Sequence, residues 1–297
     1  MTVLSLANRW RVDRVLQYNE NATVGEGIDV KHSPRRVVVK RLNSARKARR
    51  ELRTLLEIGA CDPTLVSTAA SHRLVEDFEV FFPTEHDRDS SASPDHPSTV
   101  MMLHPGSTRP VAKWTSVRGD AAAAKVLFPA MRCVEEIHSK TLIVHMDVKP
   151  NNFVDVSSDG ELKYALVDFG LSRHVGEEDP GGRGTPVYMS PEALCRQRFL
   201  ASPELDAWAL GIMLYQATNG HLHPYKIASP GILSEGCGHF VRAACLQKYD
   251  AATMWINEGA PLAKDLCSML LHHSPSERMP VAEAVHHPLF HSVPHHR

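Results

Sequence analysis

HMDVKPNNFVDVSSDGELKYALVDFG, residues 145–170, is the stretch from which the rest of the chain is read. Asp147 and Asp168 stand near its two ends, and Asn152 follows the first at a spacing of five. Between them the pattern predicts a strand over 153–156, a turn at Ser157-Ser158-Asp159-Gly160 and a second apolar run from Leu162 to Val167. An Asp-Gly pair between β-rich runs is a hairpin signal. A hairpin returns the chain on itself, so it is expected to bring Asp168 back beside Asp147 and Asn152. The product is a cluster of two carboxylates, an amide and Lys149. Such a cluster suits binding a divalent metal and moving a phosphoryl group. Hard cations want oxygen ligands, and a transferred phosphate needs positive charge around it.

HMDVKPNN resembles the catalytic-loop signature H-R-D-L-K-x-x-N of eukaryotic protein kinases, and VDFG resembles their metal-binding D-F-G. The competing reading is a pair of ordinary surface aspartates on a hairpin. Two signatures in the right order, joined by a hairpin of the right size, argue against it. The resemblance implies an α+β bilobal fold, with a β-rich N-lobe over residues 1–104 and a mostly helical C-lobe over 105–297.

Upstream, Arg36-Val37-Val38-Val39-Lys40-Arg41-Leu42 is strongly β-branched and reads as a strand. VVVK resembles the kinase V-A-I-K strand, which would make Lys40 the contact to the α- and β-phosphates. Alone, Lys40 reads better as a surface lysine at a strand end. Its expected partner comes next. Residues 44–58, SARKARRELRTLLEI, form a helix pattern capped by Ser44, with Ala48, Leu52, Leu55 and Leu56 on one face. Glu51 falls on that apolar face, where a lone carboxylate needs a cation, and Lys40 is the natural one. Glu57 is the alternative. By resemblance, Leu55 stacks toward the D-F-G phenylalanine. Val24 and Val38 line the adenine pocket and Met102 stands at its back, in the strand Thr99–Leu103 before a hinge at His104-Pro105-Gly106.

The chain departs from the family at the phosphate-covering G-x-G-x-x-G-x-V. Aligned on Val24, the three glycine positions carry Gln17, Asn19 and Ala22. Glycine lets backbone approach phosphate closely, so this change should weaken the clamp. Gly25-Glu26-Gly27 reads as the turn before the VVVK strand.

Downstream, Asp120 to Lys140 has a helix pattern interrupted by Pro129. Gly184-Thr185-Pro186-Val187-Tyr188-Met189-Ser190-Pro191-Glu192 resembles G-T-x-x-Y-x-x-P-E of Ser/Thr kinases. That resemblance makes Lys149 steady the transferring phosphate and Thr185 bridge to Asp147. Asp206-Ala207-Trp208-Ala209-Leu210-Gly211 resembles D-x-W-x-x-G, with Asp206 holding the catalytic-loop backbone. Arg278 is expected to pair with Glu192. His287-Pro288-Leu289-Phe290 matches the closing H-P-x-F. Met146 stands where most kinases have the arginine that grips a phosphorylated activation loop, and Ser172 and Thr185 are the chief hydroxyls of this one.

Composition agrees with an ordinary globular protein: 297 residues, 43% hydrophobic, 23% charged, net charge −1. No global basic field argues for nucleic acid, and no run approaches a membrane span. Six scattered cysteines without a C-x-x-C pair read as reduced, partly buried thiols of an intracellular protein, cytoplasmic and/or nuclear. The 18 histidines show no zinc-like spacing. Nine basic residues against one acid between Arg35 and Arg53 read first as a solvated face, and second as a docking surface near Arg46–Arg53 for a regulatory subunit.

The resulting expectation is an ATP-dependent protein serine/threonine kinase. Mg²⁺ (or Mn²⁺) is held by Asn152 and Asp168, Lys40 is fixed by Glu51, and Asp147 receives the substrate hydroxyl proton. The rival from another class is a pseudokinase scaffold. A small-molecule phosphotransferase would lack the T-x-x-Y-x-x-P-E segment. The wording V-K-P-x-N-F and Y-A-L-V-D-F-G-L is similar to the replication-initiating cell-division-cycle kinases, which act with an activator subunit.

Overall fold

The computed structural model describes residues 4–6, 10–18, 22–29, 35–42, 50, 51, 53–55, 57, 58, 99–103, 117–155, 164–195, 198–220, 223–225 and 248–291. The chain divides into two compact units, Met1–Arg109 with Asp155–Gly170, and Pro110–Val154 with Leu171–Arg297.

The first unit is built on a five-stranded antiparallel sheet. Its strands are β1 (Leu4–Leu6), β2 (Trp10–Tyr18), β3 (Ala22–Asp29), β4 (Arg35–Leu42) and β5 (Thr99–Leu103), neighbours in that order. The valine run makes β4 a strand, and β3 and β5 pair with it on its two sides. β3 is the middle strand. Gly25 and Gly27 lie inside it, paired with Val15 and Val12 of β2 and with Val39 and Val37 of β4. The turn expected at Gly25-Glu26-Gly27 is therefore corrected: pairing on both sides outweighs the turn preference of two glycines. Arg14 and Glu26 face each other across β2 and β3 and form an ion pair at 2.7 Å. The helix expected over 44–58 appears as α1, described at 50, 51, 53–55, 57 and 58. The Ser44 cap, Leu52, Leu56, Asn19, the hinge at 104–106 and the turn at 157–160 lie outside the described residues.

The second unit is largely helical. α2 (Asp120–Thr141) buries Ala123, Ala124, Leu127, Ala130, Met131, Val134 and Ile137, a stripe at helical spacing. Pro129 sits inside it and the helix runs on, which corrects the expected interruption. The cost of a missing N–H there is offset by the buried residues on both sides of the proline. α2 ends at Leu142 in the left-handed region, and β6 (Ile143–Val144) follows. Next come β7 (Phe153–Asp155) and, within the first unit, β8 (Tyr164–Leu166), the two strands expected of the hairpin. β9 (Arg173–His174) pairs with β6, and β10 (Glu178–Asp179) pairs with β11 (Phe199–Leu200).

α3 (Pro191–Cys195) precedes β11. α4 (Pro203–Thr218) is apolar on all sides and buried along most of its length, the signature of a central helix. It packs against α6 (Pro261–Leu270), which follows the short α5 (Ala251–Met254). A Cβ on Gly211 of α4 would meet Leu271 Cδ2 at 2.8 Å and Leu270 Cβ at 2.9 Å, so glycine is what permits this approach. Asp120 ties α2 to α6 by accepting from the Leu262 and Ala263 N–H groups. α7 (Val281–Ala284) closes the described chain together with the turn Pro288–Phe290. No helix among the described residues is long and apolar enough to cross a membrane.

Among the described cysteines, Cys133 and Cys267 are not in a disulfide, whereas Cys195 is disulfide-bonded. The expectation of reduced thiols throughout is corrected at Cys195. Scattered spacing carries no information on which cysteines the tertiary fold brings together.

Candidate active site

The first group of site residues stands in the sheet unit. Lys40 is on β4 and only 7% exposed, and Glu51 on α1 is only 2% exposed. The Lys40 Nζ donates to both Glu51 oxygens at 2.8 and 2.9 Å, and to Asp168 Oδ1 at 2.7 Å. Of the two glutamates considered, Lys40 thus bonds Glu51 and not Glu57. Burial alone would lower the Lys40 pKa, but the negative charges of Glu51 and Asp168 and their hydrogen bonds outweigh it and hold the ammonium above its ordinary value. Asp168 itself is in the left-handed region, φ 70°, and its carboxylate is half-exposed while Phe169 after it is buried. Gly170 suits this corner: a Cβ there would stand 3.3 Å from Asp168 Oδ1. Val24 is paired with Lys40 across β3 and β4, and Val39 with Met102 across β4 and β5, next to Val38. Gln17 and Ala22 lie in the hairpin strands β2 and β3, Gln17 opposite Val24.

The second group stands in the helical unit. Asp147 is encircled by donors. Thr185 gives its N–H at 3.1 Å and its hydroxyl at 2.8 Å to Oδ1. Lys149 Nζ donates to Oδ2 at 2.6 Å and to Thr185 Oγ1 at 2.7 Å. The Thr185 hydroxyl therefore accepts from the lysine while donating to the aspartate. Asn152, in the turn Pro150–Asn152, donates its amide N–H to the Asp147 carbonyl oxygen at 2.8 Å and approaches Oδ2 at 3.4 Å. That bond spends the amide nitrogen inside the loop and leaves the amide oxygen as an acceptor.

Asp206, the second carboxylate that shapes this loop, is 1% exposed at the start of α4. It accepts the His145 N–H at 2.8 Å and the Met146 N–H at 2.9 Å, and so pins the backbone entering Asp147. Met146 adopts φ 71°, a strained value for a side-chain-bearing residue. Sequence reasoning missed the third partner, His138, whose Nε2 lies 2.8 Å from Asp206 Oδ2. The available signal was its place four residues beyond Val134, on the buried stripe of α2. Burial would raise the Asp206 pKa, but the His138 hydrogen bond and the charges of His138 and His145 bring it below the ordinary carboxylate value.

Met146 makes no ionic grip. It packs, with Met189, against the apolar cluster of Val144, Ala193, Phe199, Ala201 and Leu205. Farther on, Arg278 binds Glu192 with two bonds of 2.7 and 3.0 Å. It also donates to the Glu204 and His272 carbonyl oxygens and lies 5.0 Å from the centre of the Trp208 ring.

A carboxylate with an ammonium beside it, and a second ammonium held between two further carboxylates, form a charge pattern suited to phosphoryl transfer. Such groups, on an antiparallel sheet with the helix α1 and on a helical unit, are those of the protein kinase class. The chain belongs to the protein kinase family: the model described as protein kinase domain matches residues 23–290. It is 32% identical over 165 residues to a probable serine/threonine-protein kinase of Dictyostelium discoideum, covering 54% of this chain and 28% of that protein. It is also 32% identical over 168 residues to the calcium-dependent protein kinase SK5 of Glycine max, covering 56% of this chain and 31% of that one. The matched part thus spans under a third of each relative's length.

Proposed function

We propose that the chain is an ATP-dependent protein serine/threonine kinase that transfers the γ-phosphoryl group to Ser or Thr hydroxyls of protein substrates. The observation that carries this reading is the closed set of bonds among Asp147, Lys149 and Thr185. In this scheme Asp147 takes the proton of the substrate hydroxyl. The hydroxyl oxygen forms a bond to the γ-phosphorus as the bond to the β-phosphate oxygen breaks. Lys149 offsets charge on the group in transit, and Thr185 keeps Asp147 and Lys149 in register. Lys40, fixed by Glu51, orients the α- and β-phosphates, and Val24, Val38 and Met102 surround the adenine. These are positioning and electrostatic devices, which supply most of the catalysis in phosphoryl transfer.

A divalent ion fits the chemistry of the donors: the Asn152 amide oxygen and the half-exposed Asp168 carboxylate are hard ligands of the type that Mg²⁺ or Mn²⁺ takes. When bound, the ion would neutralise charge on the phosphates. The sheet-rich lobe spans 1–104 and the helical lobe 105–297 in this reading. A regulatory subunit near Arg46–Arg53, kinship with the replication-initiating cell-division-cycle kinases and an intracellular location belong to the same proposal.

The test is Mg-ATP-dependent phosphate transfer to acidic and basic protein substrates, with Asp147→Asn as control and repeated with cell extract. Transfer by the wild-type chain that Asp147→Asn lowers at least 100-fold is expected. Equal background in both, with and without extract, would refute catalysis and favour the scaffold.

A further inference from the structure

Asp179 is only 3% exposed, and two arginines share its carboxylate. Arg183 donates to Oδ2 at 2.6 Å, Arg173 Nη2 lies 3.1 Å from the same oxygen, and the Gly181 N–H donates to Oδ1 at 2.8 Å. Arg173 is buried as well, with Glu177 Oε1 3.1 Å from its Nε. Two like charges converge on one buried anion, so removing that charge leaves them to repel each other.

The two arginines lead in different directions. Arg173 is paired with Val144 in the β6–β9 ladder, and Val144 runs directly into His145-Met146-Asp147. Arg183 runs directly into Gly184-Thr185. Asp179 therefore joins the strand that delivers Asp147 to the loop that delivers Thr185. The connecting backbone has little stiffness of its own, because Gly181, Gly182 and Gly184 all lie at positive φ. Asp179 is itself anchored by its pairing with the buried Phe199, in the cluster that Met146 and Met189 cover.

We propose that Asp179 is a positioning residue for phosphoryl transfer. By holding Arg173 and Arg183 together it keeps Thr185 on Asp147 with no charge added to the loop. A fixed carboxylate does for these arginines what a phosphorylated hydroxyl does elsewhere. The loop hydroxyls fit this role for Asp179: Ser172 is buried with its Oγ donating to the His145 carbonyl, and Thr185 is bound to Asp147 and Lys149. The inference rests on the kinase reading above.

The experiment compares the full chain with Asp179→Asn and Asp179→Glu. Asparagine keeps an acceptor for Gly181 while removing the charge. Amide hydrogen exchange over 181–189 is measured without nucleotide, together with kcat and KM for protein substrate and for Mg-ATP. Asp179→Asn should raise exchange over 181–189 at least 10-fold and lower kcat at least 10-fold, with the Mg-ATP KM within twofold. Asp179→Glu should recover most of both. Unchanged exchange over 181–189 in Asp179→Asn overturns the inference whether or not the chain transfers phosphate. So does a loss spread evenly over the helical unit that Asp179→Glu fails to restore, since that marks a role in stability alone. A wild-type chain without transfer defeats the kinase reading and with it the catalytic half of this inference, while the exchange result still decides whether Asp179 holds the loop.

Discussion

Replacing Arg278 with methionine removes a guanidinium and keeps most of its bulk. The arginine side chain is fully buried and Glu192 only 11% exposed. The variant leaves a nearly buried carboxylate without its cation and the Glu204 and His272 carbonyl oxygens without their donor. Each charge-assisted bond contributes about 1.5–3 kcal/mol, and breaking a buried pair from one side costs about 3–5 kcal/mol in all, since the bonds are not additive. A methionine against Trp208 offsets a little of this. The expected loss is therefore about 3–5 kcal/mol, a large part of a domain's usual 5–15 kcal/mol. With a urea slope of about 3 kcal/mol/M the midpoint falls by about 1 M or more. Tryptophan fluorescence suits the assay, because Trp208 lies under the guanidinium. Glu192→Gln completes a double-mutant cycle, and the two changes together should cost at least about 1.5 kcal/mol less than their sum. A midpoint shift worth less than about 1 kcal/mol, or strict additivity, would refute the reasoning.

Burial holds His223 down to about 4, against the opposing hydrogen bond to the Val187 carbonyl. Its Nδ1 accepts from the Tyr225 N–H, a bond the protonated ring would lose. This stabilisation is complete above pH 6.5 and disappears as pH falls toward 4, amounting to about 3 kcal/mol; His223→Gln should flatten that slope in urea titrations, and an unchanged slope would count against it. Gly211→Ala should cost about 1–3 kcal/mol by overpacking against Leu270 and Leu271, read as a fall in Tm, and a Tm within 1 °C of wild type contradicts the close approach. Glu51→Gln leaves Asp168 as the one charged partner of Lys40 among the described residues, so kcat/KM for Mg-ATP should drop at least 10-fold with the fold intact by circular dichroism; full activity would exclude a role for the pair. Phosphatase treatment of active protein should leave its rate unchanged, since Met146 offers no cation to a phosphate, and a marked loss traced to Ser172 or Thr185 would overturn this.

What was legible in the sequence is what charge and strict pattern write there. The Lys40–Glu51 pair was visible because a lone carboxylate on an apolar helix face demands a cation, and Arg278 with Glu192 because each stands in a recognisable motif. Asp206 reads as a backbone anchor in the same way. Other features depend on neighbours distant in the chain. Gly25 and Gly27 look like turn residues until two strands pair with them. Pro129 looks like a break until the helix around it is buried on one side. The Asp179 clamp was hidden in a segment whose acidic, glycine-rich composition describes a solvated loop. Cys195 gives no hint of its bond, and β1, three residues long, is too short for any periodicity.

The carboxylate of Asp147 has four lone-pair sites, and four donors address them: the Thr185 N–H and hydroxyl on Oδ1, Lys149 and the distant Asn152 amide on Oδ2. It is a saturated acceptor. In the proposed transfer, an alcohol that delivers its proton would have to evict an occupant. The weakest claim is the 3.4 Å approach of Asn152, whose amide keeps its 2.8 Å bond to the Asp147 carbonyl when displaced. If Asp147 takes the proton as proposed, its landing place would be Oδ2, on the side that Asn152 now occupies.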